Sequence, residues 1–213
     1  MAIMTRLLAG LTAGLLCSAA FADPGPFTLG VRANALSAGG EPANDMIGFG
    51  IFGKYRLKDD WSVGVSADFY DYDFERPWKV TGVEQSPSVP VIDAPADSVL
   101  VSAWLEQNFA RTGNVNWFWN AGLGFNSVDV KDVSGPTASG GTFTLTTDPG
   151  TEFVLLGAAG FKWNFTEALQ MEGALRVQQH FADWTVTDRV SGRVGALDDY
   201  TAYGVHLGLG YLF

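Results

Sequence analysis

The sequence predicts an all-β chain, an eight-stranded antiparallel up-and-down transmembrane β-barrel. Three observations carry that prediction. Large apolar residues alternate with small or polar ones in eight separate segments. The connections between these segments alternate between short and long. No apolar stretch reaches the roughly 20 residues that a spanning helix needs. Alternation at period two sends successive side chains to opposite faces of a strand, whereas a helix would scatter them around its axis.

The first 22 of the 213 residues read as a leader rather than as fold. Arg6 supplies a positive charge, residues 7–16 form an apolar run, and Ala20-Phe21-Ala22 offers a small-x-small cleavage site before Asp23. This is the layout of a cleaved secretory signal peptide, so residues 1–22 are expected to be removed and residues 23–213 to form the barrel domain. Cys17, the only cysteine, lies inside that leader. Acylation there would need a small residue before it, and Leu16 is bulky. The mature chain then has no thiol for disulfides or metal binding. Removing Arg6 takes the net charge from −10 to −11. Nothing in such a chain offsets phosphate repulsion, so nucleic acid is excluded as a partner.

The segments follow in order. Residues 27–35 set Phe27, Leu29, Val31 and Ala33 against Thr28, Gly30, Arg32 and Asn34. Residues 46–57 oppose Ile47, Phe49, Ile51, Tyr55 and Leu57 to Gly48, Gly50, Phe52, Lys54 and Arg56. Residues 61–72 oppose Trp61, Val63, Val65, Ala67 and Phe69 to Ser62, Gly64, Ser66, Asp68 and Tyr70. In residues 98–109, Val99, Val101, Ala103, Leu105 and Phe109 face away from Ser102, Trp104, Glu106 and Asn108. Residues 117–127 set Trp117, Trp119, Ala121, Leu123 and Phe125 against Asn120, Gly122, Gly124 and Asn126. Residues 152–165 set Phe153, Leu155, Ala159, Phe161, Trp163 and Phe165 against Glu152, Lys162 and Asn164. Residues 169–184 set Leu169, Met171, Leu175, Val177 and Phe181 against Gln170, Glu172, Arg176, Gln178 and His180. Residues 200–213 end the chain with Tyr203, Val205, Leu207, Leu209, Tyr211 and Phe213 opposite Ala202, Gly204, His206, Gly208, Gly210 and Leu212. Each segment has the length of about 9–11 residues that a tilted strand needs to cross a bilayer.

Residues 58–60, 110–116 and 166–168 are short turns, and residues 36–45, 73–97, 128–151 and 185–199 are long polar loops. The third loop holds Val128-Asp129-Val130 and Thr142-Phe143-Thr144-Leu145, which predict a hairpin projecting beyond the bilayer. Outer-face aromatics gather near the short turns (Trp61, Trp117, Trp119, Trp163) and near the long loops (Phe69, Phe74, Phe153, Phe181). Two belts of amphipathic rings suit the two headgroup layers. A soluble β-sandwich also alternates, but it would not ring its outer face with Trp and Phe beside the short turns.

On these features the chain resembles the small eight-stranded outer-membrane barrels of Gram-negative bacteria, the group containing the OmpA membrane domain, OmpX and OmpW. The resemblance covers residues 27–213, and its most specific part is the last strand: His206, Gly208, Tyr211 and the final Phe213. It implies residence in the cell outer membrane, contact with outer-membrane lipids and lipopolysaccharide, and a terminal signal read by the outer-membrane assembly machinery. Unlike full-length OmpA proteins, the protein is expected to end with the barrel, without a periplasmic peptidoglycan-binding domain.

An eight-stranded barrel has an interior that side chains can fill. The inward candidates are Arg32, Lys54, Arg56, Asp68, Glu106, Glu152, Lys162, Glu172, Arg176, His180 and His206. Charges so confined must be paired or hydrated, so an internal polar network that plugs the barrel is expected. The role then falls to the long loops, as an envelope-structural or surface-interaction protein with a ligand met through those loops. The alternative is a narrow channel for small solutes, or for small hydrophobic molecules as the resemblance to OmpW implies. Lipid A modification would need a base and a nucleophile, with His180 beside Glu172 or Asp183, and Ser66 or Ser102. The His-x-Ser pattern of the lipid A deacylase barrels is absent, because Phe181 and Ala182 follow His180. The reading is therefore non-enzymatic, without cofactor or metal. Gly122-Leu123-Gly124 and Gly208-Leu209-Gly210 sit inside strands, not in a phosphate loop before a helix. Asp183, Asp188, Asp198 and Asp199 either gather divalent cations or keep their loop solvated.

Overall fold

A computed structural model describes residues 25–38, 45–58, 60–74, 94–137, 140–148, 150–182, 184–192, 194–196 and 199–213. The expected leader with Cys17, much of the first two long loops, and Asp183 and Asp198 lie outside these residues.

Eight strands close into one antiparallel barrel: β1 (Phe27–Ala38), β2 (Met46–Arg56), β3 (Trp61–Phe74), β4 (Ala94–Thr112), β5 (Val115–Val130), β8 (Thr151–Asn164), β9 (Leu169–Phe181) and β12 (Tyr200–Leu212). Each pairs with its neighbours in chain order, and β12 pairs back onto β1 from Leu212 opposite Thr28 to Ala202 opposite Ala38. Closure leaves no unpaired edge, which is what lets a sheet stand in lipid. The outward residues are apolar and exposed, among them Leu175, Ile47 and Leu207. They alternate with buried residues along every barrel strand, as the sequence predicts.

Rings meet across strands at both ends of the barrel. Phe27 lies 4.8 Å from Tyr55 and Trp61 lies 6.0 Å from Trp119 near the short turns. Phe49–Phe69 and Phe153–Phe181, at 5.1 Å and 5.8 Å, lie near the long loops. Tyr211 departs from the pattern: on the outward parity it is nevertheless buried, with the Phe213 ring edge-on against it at 4.7 Å.

Glycine opposite a bulky inward residue sets the internal fit. Trp104 lies across from Gly64 on β3 and Gly122 on β5, and Phe52 lies across from Gly30 on β1. A Cβ at Gly64 would collide with the Trp104 indole, and one at Gly30 with the Phe52 ring.

The strands are longer than the sequence segments at several ends. The turn expected over residues 110–116 shrinks to Gly113 and Asn114, with Gly113 taking φ of +60° as only glycine does readily. A β-bulge lies in β4 between Asn108, opposite Phe118, and Ala110, opposite Trp117. The alternation expected to run to Trp184 stops at Phe181.

Two of the segments expected to be loops instead hold strands. β6 (Val133–Pro136), β7 (Thr142–Asp148), β10 (Thr185–Asp188) and β11 (Val194–Ala196) form a second sheet in the order β11-β10-β7-β6. A hairpin was expected here from residues 128–130 and 142–145, but Val128, Asp129 and Val130 extend barrel strand β5 against β4, and β7 takes Val133–Pro136 as its hairpin partner instead. The pairing of β7 with β10, from Thr185 opposite Asp148 to Asp188 opposite Leu145, joins two loops distant in the chain. The buried side chains of this sheet (Val133, Phe143, Leu145, Val186), with the neighbouring Trp184, form one apolar cluster with Leu36, Met46, Tyr72, Val128 and Tyr200 of the barrel strands.

Asp188 ends β10 and fastens its turn. Its carboxylate accepts from the Ser191 hydroxyl at 2.5 Å, the Thr144 amide at 2.9 Å, and the Val190 and Ser191 amides at 3.1 Å each. Asp199 likewise accepts from the Ala182 amide at 3.0 Å. These two loop carboxylates thus hold backbone groups. The Ser191 hydroxyl first, then the Thr144 amide, keep the Asp188 carboxyl at about 2, below its ordinary 3.8.

Two outcomes test this architecture. Val65 stands outward on β3 between the Trp61 and Phe69 belts, so Val65→Arg should cost roughly 2–4 kcal/mol of stability in lipid vesicles, read by denaturant unfolding. A carboxyl lowered by folding stabilises above its ordinary pKa and loses that contribution as pH falls through the folded value. Amide-exchange protection at Thr144, Val190 and Ser191 should therefore hold at pH 5 and drop between about pH 4 and 2, while Asp188→Asn should remove that step.

Candidate functional site

The candidate site is the barrel interior, where four buried cations (Arg32, Lys54, Lys162, Arg176) meet four buried carboxylates (Asp68, Glu106, Glu152, Glu172). They stack in three levels.

Nearest the short turns, Glu106 lies between two ammonium groups. Lys54 Nζ donates to it at 3.1 Å, and Lys162 Nζ forms a close ion pair with its other oxygen. Lys54 also pairs closely with Glu172 on β9, and Lys162 donates to Asn108 at 3.0 Å. The Phe118 ring lies 4.7 Å from Lys162 Nζ and 5.6 Å from Lys54 Nζ, so both ammonium groups face an aromatic surface. His206 Nε2 stands 3.4 Å from Glu172 Oε1.

The middle level centres on Asp68. Arg32 grips both its oxygens, through Nε at 2.7 Å and Nη2 at 2.5 Å, while Arg176 Nη2 reaches Oδ2 at 3.1 Å. Asn34 and Ser66 complete the carboxylate's partners at 3.1 Å each. In the barrel order β3 and β9 stand four strands apart, diametrically opposite. The Asp68–Arg176 pair therefore crosses the full width of the lumen. The fork of the Arg32 guanidinium also lies 5.3 Å from the Trp104 ring.

The level beneath the loop sheet is less charged. Glu152 Oε2 accepts from Asn126 Nδ2 at 2.8 Å and faces His180 Nδ1 at 2.8 Å. The imidazole stacks on Tyr200 with centroids 4.4 Å apart. With its amide turned so that the oxygen accepts from Arg176 Nε at 2.9 Å and Tyr70 Oη at 3.0 Å, Gln178 donates to His180 Nε2 at 3.1 Å. That arrangement assigns the ring proton to Nδ1.

Of the eleven inward residues expected from sequence, the structure buries all but Arg56. Arg56 is exposed at the short-turn rim, where Nη2 donates to the Gly25 carbonyl at 2.8 Å. Its parity is inward, but the strand ends there and the side chain reaches the mouth instead of the network. His180 pairs with Glu152, not with Glu172. Neither candidate nucleophile meets it: Ser66 and Ser102 hydrogen-bond each other at 3.0 Å, and Ser66 also accepts from Arg32. The terminal-strand residues divide, with His206 and Gly208 buried inward and Tyr211 packed against Phe213. The network expected from sequence did not include Asn34, Asn126, Gln178, Phe52 or Trp104, although each was placed on an inward face, nor the aromatic partner Phe118. Their inward parity was the available signal.

Below the lowest level the lumen widens into a cavity of about 600 Å³ opening at the short turns, lined by Lys54, Arg56, Asp60, Glu106, Arg111 and Lys162 among others. At the opposite end lies the apolar cluster that the barrel strands share with the loop sheet.

Removing one member of a buried ion pair leaves its partners uncompensated, at a cost of about 3–5 kcal/mol. Asp68→Ala strands both Arg32 and Arg176 and should show a loss of that size in urea unfolding. Ser102→Ala, at the edge of the same cluster, should cost about 1 kcal/mol.

The comparisons with known proteins agree with this architecture. The sequence matches the family model of the outer membrane protein beta-barrel domain over residues 8–213. No curated protein matches it. Among solved structures it is similar to neisserial surface protein A (16% identity, TM-score 0.54, 88% of this chain and 97% of that one). It is also similar to the outer membrane protein OprG of Pseudomonas aeruginosa (12% identity, TM-score 0.55, 90% and 97%). A third similar structure is a major outer membrane protein of Thermus thermophilus (13% identity, TM-score 0.54, 88% and 99%). At these identities the likeness is one of fold. With the family model covering nearly the whole sequence, the chain belongs to the outer membrane protein β-barrel domain family.

Proposed function

We propose that this protein is an integral protein of the Gram-negative outer membrane whose barrel is a plugged scaffold. On this reading residues 1–22 are a cleaved export signal, and the role is envelope-structural or surface-interacting, exercised through the long extracellular loops. The observation that carries it is the Asp68–Arg176 ion pair spanning the lumen between opposite strands. The lysine–glutamate level on one side and the apolar cluster on the other support the same reading. The surface offered outward is the four-stranded loop sheet. Charged residues flank its strands and are exposed, among them Lys131, Asp132 and Arg189, beside the exposed apolar Val190 and Val194.

The exposed apolar band implies outer-membrane lipid and lipopolysaccharide as its lateral partners. His206, Gly208, Tyr211 and Phe213 serve as the signal for the assembly machinery. The reading is non-enzymatic and needs no cofactor, since His180 is engaged by Glu152 and Gln178 rather than by a serine.

Narrow passage of small solutes is the second reading, favoured by the open cavity at the short-turn end. Planar-bilayer recording separates the two. The plugged scaffold should give no stable conductance at moderate voltage. Discrete, reproducible steps would overturn it in favour of passage.

A further inference from the structure

The two arginines at the short-turn mouth have a placement that neither the fold nor the ion-pair network requires. Ordinary alternation along β4, with Trp104, Glu106 and Asn108 inward, would point Arg111 outward. The bulge between Asn108 and Ala110 adds one residue and reverses that parity. Arg111 then stands opposite Asn116, which in turn stands opposite Lys162, so the three share one inward row across β4, β5 and β8. Bulges at barrel rims re-aim side chains in this way. Arg56, at the end of β2 and so two strands from β4, lines the same cavity.

The charges there do not balance. The cavity is lined by Lys54, Arg56, Arg111 and Lys162 against Asp60 and Glu106, which leaves two positive charges in excess on a chain of net −10. Both lysines are already held by buried carboxylates. Among the described residues neither arginine has a carboxylate partner. Arg56 is anchored through one nitrogen on the Gly25 carbonyl, and Arg111 through Nε on the Gly113 carbonyl at 3.2 Å. Each guanidinium has five N–H donors in a fixed fork, so most remain available after one bond. A planar fork suits phosphate and carboxylate oxygens better than an ammonium does. Asn116 adds a neutral donor between Arg111 and Lys162.

We propose that this vestibule is a binding site for a phosphate-type oxyanion, entering from the short-turn side and held between Arg56 and Arg111. Two sources share that chemistry: a free phosphorylated solute, or the phosphate of a lipid headgroup folded over the rim. Neither arginine belongs to the ion-paired levels, although the lysine–glutamate level floors the cavity, so the proposal does not depend on whether the barrel conducts.

The test uses the folded full barrel in an uncharged maltoside micelle, with amide shifts of Arg56, Arg111 and Asn116 followed by NMR. Titration with inorganic phosphate, against chloride at equal ionic strength, should give saturable shifts confined to the vestibule. A second arm adds short-chain phosphatidylglycerol. Saturation there but not with inorganic phosphate assigns the headgroup as the source. The double variant R56A/R111A should weaken binding roughly tenfold or more, the loss expected for charge-assisted hydrogen bonds. R111K should fall between. Both arginines are exposed at the rim, and unchanged heat-dependent gel mobility verifies that the variants fold. The proposal is overturned if neither probe saturates, if chloride reproduces the shifts, or if R56A/R111A binds as the unaltered chain does.

Discussion

Closing an eight-stranded sheet on itself imposes the constraint from which the rest of this structure follows. The lumen is only wide enough for side chains, so each inward residue must fit and be neutralised within it. Fit is achieved across strands, by glycine facing Trp104 and Phe52. Neutralisation is achieved by equal numbers of buried cations and carboxylates. A carboxylate isolated there would carry a desolvation penalty of several kcal/mol. Asp68 avoids it with four partners, and Glu106 with two ammonium groups.

The same constraint explains how much of the molecule was legible beforehand. A barrel strand sees lipid on one side and a crowded polar axis on the other, so its period-two pattern is unusually clean. Parity alone placed Arg32, Lys54, Asp68 and Glu172 inside. It failed where the local geometry departs from regular pleating. Arg56 runs out of strand, and the bulge after Asn108 reverses the parity beyond it. Tyr211 keeps its parity but is covered by its neighbours.

The loop sheet was hidden for a different reason. β7 and β10 pair across about forty residues of sequence, as Thr146 opposite Thr187 shows. β7 showed as a strand at residues 142–145, but β10 is short and, alone, reads as a polar loop with a single valine. What selects the pairing is burial of Phe143, Val186 and Trp184 over the barrel end, a tertiary term that no local window contains. Which residues partner inside the lumen was hidden likewise. Parity gives the set of inward groups, while strand tilt and register decide that His180 meets Glu152 rather than Glu172.

The two ends of the barrel are built on opposite physical principles, and this bears on how they can communicate. The long-loop end is packed with apolar side chains, and such packing is non-directional and tolerates small rearrangements. The short-turn end is an open cavity with an excess of positive charge in its lining. Between them stand charge pairs whose partners sit on different strands, so displacing any one breaks contacts on at least two walls. Separating Asp68 from Arg176 exposes each to an uncompensated environment at roughly 3–5 kcal/mol. An oxyanion at the mouth would first meet Arg56 and Arg111, neither of which touches those pairs. Occupancy of the vestibule and engagement of the loop sheet are thus expected to be energetically independent. Coupling between them would require the lysine–glutamate level to give way, since it is the only charged layer that borders the cavity.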